Sequence, residues 1–132
     1  SKIKIINDLS ETGFYLNNFL NFDLLWNTGI GFGLMSSNSP LFYNLISTLI
    51  ALAIIFLIII GIKSDKFDKT VFSVIIGGGL GNFYDRIYYK AVPDFIDLHY
   101  NDFHWFTFNV ADVFISVGII IYLVLGVFKK KK

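Results

Sequence analysis

The 132-residue chain carries a net charge of +1 and is 55% hydrophobic but only 16% charged. A soluble domain is about 45–50% apolar and about 25% charged. The surplus apolar surface calls for lipid as a solvent, and the small net charge leaves no footprint for nucleic acid. With no cysteine, disulfides, thiolate zinc sites and a cysteine nucleophile are excluded together.

The length allows one domain. Residues 1–40 read as a segment outside the membrane. Within it, Leu20, Phe22, Leu24 and Trp26 alternate with polar residues along Leu20–Asn27, a strand signal. Thr28-Gly29 ends that run, Gly31 and Gly33 follow, and a small sheet at the membrane surface is expected. Leu41–Ile62 is uncharged and long enough for the roughly 20 apolar residues that cross a bilayer core. A second apolar run begins at Thr70 and reaches spanning length only by continuing through Asp85 and Arg86, so a helix is expected over 70–89. Residues 94–105 mix aromatics with charges and are expected to lie along the interface. Phe106–Phe128 is a third apolar run with one charge, at Asp112. Lipid offers the backbone no hydrogen-bond partner, so all three runs are expected to be helices.

Lysines orient the spans. Lys63, Lys66 and Lys69 follow the first and Lys129–Lys132 follow the third, which puts both segments on the cytoplasmic side. Trp26, Tyr88, Tyr89, Tyr100 and Trp105 gather toward the outer interface. This topology leaves Ser1 outside, and a first transmembrane helix is expected to precede it.

An ionisable residue within a span costs roughly 2.5–3.5 kcal/mol on insertion scales, which makes it a functional candidate. Asp112 would lie about 9 Å down the third helix, with Asn109 on the same face; a structural polar clamp is the alternative. In Gly77–Arg86, the residues Asn82, Asp85 and Arg86 are spaced to share a helix face. Gly77 and Gly81 form a small-xxx-small pair suited to close helix approach. No Lys-Ser/Thr follows the glycines, so a phosphate loop is rejected. For Asp85 and Arg86, an internal ion pair and a catalytic role both stay open. Asp94 follows Pro93, which breaks regular helix, and a loop there could dip back toward Asp112. Two carboxylates sharing a site hold one proton between them, the acid–base arrangement of aspartic proteases. The spacing of the two aspartates is not specific by itself. His99 and His104 with Asp97 and Asp102 match no metal-binding motif and read as solvated interfacial residues. Ser36, Ser37, Ser39, Ser47, Ser73 and Ser116 have no base nearby and no G-x-S-x-G around them.

Three blocks together resemble signal peptidase II, the bacterial lipoprotein signal peptidase. Asn27-Thr28-Gly29-Ile30-Gly31-Phe32 is similar to the family's N-T-G-x-x-F. Gly78–Arg86, continuing to Val92-Pro93-Asp94-Phe95, is similar to G-G-x-x-G-N-x-x-D-R followed by V-x-D-F. Phe108-Asn109-Val110-Ala111-Asp112 is similar to F-N-x-A-D. The likeness runs from the first residue to the lysine tail. It implies four transmembrane helices, the first ending in D-x-x-[ST]-K, whose last two residues Ser1-Lys2 resemble. The chain is then a single α-helical membrane peptidase domain, with an extracytoplasmic segment at 1–40, helices at 41–62, 70–89 and 106–128, and a small β element. The resemblance also implies Asp94 and Asp112 as the catalytic pair, preferring Asp94 over Asp85. It makes Asn27, Asn82, Arg86 and Asn109 site-lining residues and Asp85 a supporting one. Lys90 departs from the family, which often has glycine there.

The implied reaction is removal of the signal peptide from a diacylglyceryl-modified prolipoprotein, before the lipidated cysteine, at the extracytoplasmic face of the bacterial inner membrane. No cofactor or metal is expected, lipid and substrate are the expected partners, and a monomer is expected. The alternatives are a non-catalytic membrane scaffold and a proton relay. Against the relay, Val113–Phe128 offers only Ser116 and Tyr122 as polar side chains.

Overall fold

The computed structural model describes residues 2–8, 13–29 and 39–129. The elements run α1 (Lys2–Asp8), β1 (Phe14–Asn17), β2 (Leu20–Asn27), α2 (Pro40–Lys63), α3 (Lys66–Tyr89), β3 (Val92–Tyr100), β4 (Phe103–Phe108) and α4 (Val110–Lys129). Ile30 to Phe32 of the first motif, together with Gly33, Ser36, Ser37, Ser1 and the last three lysines, lie outside the described residues.

Local chemistry sets the helix ends. Ser39 caps α2 and accepts from the Phe42 N–H, and Pro40 occupies the first turn, where its missing N–H costs nothing. Asp65 caps α3, accepting from the N–H groups of Phe67 and Asp68 at 3.0 and 2.9 Å. The cap moves the start of α3 from the expected residue 70 back to Lys66. Lys66 and Lys69 therefore belong to its first turn, not to a loop. α2 is apolar over most of its length, and large side chains, Leu41, Leu45, Leu52, Phe56 and Ile62 among them, stay exposed. Among the described residues, α2 alone is long and apolar enough to cross a membrane, and Val110–Gly126 of α4 is a shorter apolar stretch.

α3 lies between α2 and α4. Val71, Phe72 and Ile75 form the helical core, with Leu57, Ile60 and Ile115 against it. The close approach does not use the Gly77/Gly81 pair read from the sequence. A Cβ on either of those would meet nothing within 4 Å, and both face an open groove of about 850 Å³ that Lys2 also lines. The tight contact is one residue along, at Gly78. A Cβ there would lie 2.7 Å from the Ala111 carbonyl oxygen on α4, and one on Gly118 would lie 2.5 Å from Ile75 Cγ1. Helical spacing puts Gly77 and Gly78 about 100° apart, so the sequence pattern could not choose between the two faces.

The strands form one antiparallel sheet in the order β1-β2-β3-β4. The expected strand over Leu20–Asn27 is β2. Residues 94–105 form most of the β3–β4 hairpin. Aromatics occupy both faces of this hairpin, which hides the period-2 alternation. His99 is 5% exposed, stacked on His104, whose Nδ1 lies 2.7 Å from Asp97 Oδ2. His99 is thus a packed residue of the sheet and not a solvated one, whereas His104 keeps an exposed side chain. Because β4 takes residues 103–108, the last helix begins at Val110 rather than 106. α1, over Lys2–Asp8, has no counterpart in the sequence reading.

The turn from α3 into β3 is made by Lys90 in the left-handed conformation, φ 60° and ψ 17°, with its N–H on the Arg86 carbonyl. A side chain there is strained, which accounts for a preference for glycine. Lys90→Gly is expected to raise stability by about 1 kcal/mol in thermal unfolding. Gly78→Ala should do the reverse. It forces α4 away at Ala111, next to Asp112, and should cost about 1–3 kcal/mol in the same measurement.

Candidate active site

Asp94 and Asp112 reach the site from different kinds of element. Asp94 is the third residue of β3, not part of a dipping loop, and sits opposite Leu25 of β2. Asp112 is the third residue of α4, so it stands in the first turn rather than about 9 Å down a longer helix. Asn109, between β4 and α4, is the helix cap and not part of the helix face. Its Oδ1 accepts from the Ala111 N–H at 2.8 Å, and its own N–H donates to Asp112 Oδ2 at 3.0 Å. This is a capping box with aspartate in the place usually held by glutamate.

The cap settles which way the Asn109 amide points. With Oδ1 committed to the helix N–H, Nδ2 turns to the other side and donates to Asp94 Oδ1 at 2.6 Å. One residue thus holds both carboxylates, Asp112 by its backbone and Asp94 by its side chain. Asn109 and Asp94 are both 0% exposed.

Two more asparagines repeat the device. Asn27, at the end of β2, takes the Gly29 N–H on Oδ1 at 2.8 Å and donates from Nδ2 to Asp94 Oδ2 at 2.8 Å. Asn82, on α3, takes the Lys2 ammonium on Oδ1 at 2.6 Å and donates from Nδ2 to Asp112 Oδ1 at 2.8 Å. All four carboxylate oxygens therefore accept an N–H, and each amide is oriented by a second donor outside the pair. A buried carboxylate needs such partners.

Asp85 is buried and pairs with Lys2, Nζ to Oδ2 at 2.5 Å. It does not pair with Arg86. Neighbouring residues on a helix point about 100° apart, and Arg86 turns instead to the Gly29 carbonyl, to which its Nη2 donates. Tyr43 on α2 donates its hydroxyl to the Arg86 carbonyl at 2.7 Å. The seven residues named from the sequence thus assemble around two carboxylates, with Asp85 at one remove. Lys2 is the residue that reading passed over as a site group. Its one signal was the Ser1-Lys2 match to the end of a family motif. Among the described residues no cluster of three or more histidines and carboxylates is placed to hold a metal ion.

The Asp94 carboxyl is pushed up from 3.8 to about 6. Burial is the largest cause, and the charge of Asp112 adds to it. The N–H bonds from Asn109 and Asn27 and the charge of Lys2 favour the carboxylate but do not outweigh the loss of solvent. A native value above the unfolded one means the folded chain keeps a proton that the unfolded chain releases. Stability contributed by Asp94 is therefore greatest below pH 3.8 and declines as pH rises to about 6. In thermal unfolding from pH 4 to 7, the difference between the Asp94→Asn variant and the parent should move in favour of the variant as pH rises. A difference that stays flat would contradict the raised value.

Comparison with known proteins follows the same lines. A profile of the signal peptidase (SPase) II family matches residues 1–128. A lipoprotein signal peptidase of Pelagibacter ubique is 46% identical over 130 residues, taking in 98% of this chain and 78% of that protein. The lipoprotein signal peptidase of Francisella tularensis subsp. novicida is 38% identical over 121 residues, covering 89% of this chain and 75% of the other. A bacterial membrane enzyme solved by the in meso method at 2.3 Å resolution superposes with a TM-score of 0.71 at 27% identity, over 98% of this chain and 80% of that one. A second, solved at 1.9 Å, shares the fold with a TM-score of 0.66.

Proposed function

The chain belongs to the signal peptidase II family, and we propose that it cleaves signal peptides from lipoprotein precursors with Asp94 and Asp112 as the catalytic aspartates. The observation that carries the assignment is the Asn109 clamp, which ties two buried carboxylates from separate elements to a single residue. A structural role for these aspartates would not need both to be withdrawn from water and kept side by side, because burial and mutual repulsion each oppose it.

The chemistry follows from the pair sharing one proton. The ionised carboxylate removes a proton from water, and the oxygen so activated attacks the scissile carbonyl carbon. The protonated carboxyl hydrogen-bonds the carbonyl oxygen as it gains charge, and the proton returns to the leaving amine as the C–N bond breaks. The asparagine N–H groups hold the carboxylates in place so that little reorganisation is needed at the moment of reaction. Asn27, Asn82, Asn109 and Arg86 are the residues beside which the substrate backbone would run.

The substrate assignment extends this reading to a diacylglyceryl-modified cysteine, with cleavage on its N-terminal side. The pair stands at the α4 N-terminus, where helix gives way to the sheet. A lipid-anchored cysteine at a membrane surface would present its scissile bond at that level without soluble contacts to place it. We assign α2, α3 and α4 as spans of the inner membrane. Lys63, Lys66 and Lys69 mark the cytoplasmic end, and the sheet and carboxylates lie at the opposite face. A monomer is sufficient for this arrangement, since all the named groups come from one chain.

Asp94→Asn and Asp112→Asn in the full-length protein are each expected to lower processing of a lipidated prolipoprotein by at least about 10²-fold. Thermal unfolding in detergent should stay cooperative in both. Normal processing by either variant would remove that residue from the catalytic pair. The rate should also rise with pH through a limb near 6, as the shared proton site becomes able to accept a proton from water.

A further inference from the structure

The α2 helix carries a polar stripe that its membrane character does not explain. Asn44, Ser47, Thr48 and Ala51 recur at helical spacing and so share one face of an otherwise apolar helix. That face lines a cavity of about 340 Å³, closed on the other side by Phe83, Arg86 and Ile87 of α3 and by Lys90.

Two features of this cavity point to an occupant. Arg86 is 3% exposed; its Nη2 donates to the Gly29 carbonyl and its guanidinium lies over the Tyr43 ring, 5.9 Å from the centroid. Its Nε and Nη1 have no partner among the described residues, and neither has the Ser47 hydroxyl, which is also buried. Buried donors on a charged group are costly to leave unpaired. The second feature is charge. Among the described residues, Arg86 and Lys90 are the ionised groups of the cavity lining, and no carboxylate lines it. Asp85 is engaged by Lys2 and the carboxylates of Asp94 and Asp112 by asparagine amides. The start of α2 adds the positive end of a helix dipole beside Tyr43 and Asn44.

The same helix, α2, exposes Leu41, Leu45 and Leu49 elsewhere on its surface. An occupant must therefore offer an anion at the Arg86 and Lys90 end, acceptors beside Ser47, and apolar chains that continue along the helix. We propose that this cavity binds one glycerophospholipid molecule. The phosphate lies on Arg86 Nε and Nη1 with Lys90 at the rim, and a glycerol ester carbonyl accepts from Ser47. A soluble phosphate satisfies only the first requirement and a diacylglycerol only the others. The site is separate from the carboxylate pair, and Arg86 is the residue common to both.

The test uses full-length protein, delipidated in detergent, with dioleoyl-phosphatidylglycerol as the probe. Native mass spectrometry is expected to retain one lipid per chain, and thermal unfolding is expected to shift upward as the lipid is added. Two variants probe the two ends. Ser47→Leu fills the cavity, and Lys90→Asn removes the rim charge while keeping a residue that tolerates the left-handed backbone. Each should weaken retention at least tenfold, whereas Lys66→Asn at the far end of α3 should leave it unchanged. Should Ser47→Leu fail to fold, Lys90→Asn, at an exposed position, still decides the matter. Parent-like retention by Lys90→Asn would overturn the proposal. So would an equal thermal shift from inorganic phosphate, which would indicate a soluble anion, or equal retention of dioleoylglycerol, which would indicate apolar docking alone. The readout is lipid retention, so it is independent of whether the protease assignment stands.

Discussion

The site depends on asparagine amides that can point only one way. An amide offers an acceptor at one end and donors at the other. In Asn109, Asn27 and Asn82 the acceptor is already taken by a helix N–H, a turn N–H and an ammonium respectively. The donor ends are then left for Asp94 and Asp112. A buried carboxylate without donors would protonate or unfold its surroundings. Here each oxygen is met, yet burial still lifts the Asp94 carboxyl from 3.8 to about 6. The arrangement stabilises a charge without making it inert.

The secondary structure is arranged to bring those amides together. α3 ends at Lys90, and the left-handed turn there sends the chain back as β3 with Asp94 near its start. The β3–β4 hairpin then returns the chain to Asn109, where strand gives way to helix and Asp112 follows in the first turn. Antiparallel pairing of β2 and β3 lays Asn27 across from Val92, within diagonal reach of Asp94. Close approach at Gly78 allows α4 to lie against α3, so that Asn82 reaches Asp112. The sheet and the helices are thus parts of one device, since each supplies one carboxylate.

Lys2 and Arg86 extend the network in opposite directions. Lys2 joins Asn82 to Asp85, which gives a buried carboxylate on α3 a cation and orients the amide beside Asp112. Arg86 reaches the Gly29 carbonyl and so ties α3 to the chain just beyond β2. The order Asn82, Asp85, Arg86 on one helix therefore serves two neighbours, with the carboxylate and the guanidinium facing different partners.

Much of this was open to reading from residue types alone. An uncharged apolar stretch over Leu41–Ile62 has one solution in lipid, and Asp112 within an apolar run marks a functional position because burying its charge is costly. Alternation along Leu20–Asn27 was enough for a strand, and the motif resemblance preferred Asp94 over Asp85. What escaped were features that depend on contact between distant segments. The β3–β4 hairpin carries aromatics on both faces, so its period is hidden. The capping roles of Asp65 and Asn109 moved two helix starts by about one turn, and one turn decides whether Asp112 lies deep or at the rim. The choice of Gly78 over Gly77 rests on which face α4 covers. Composition and spacing determined that this is a membrane chain with a costly aspartate. Only the tertiary structure decided which amides face that aspartate, because an amide's direction is set by the donor it meets on another element, and no local pattern records that donor.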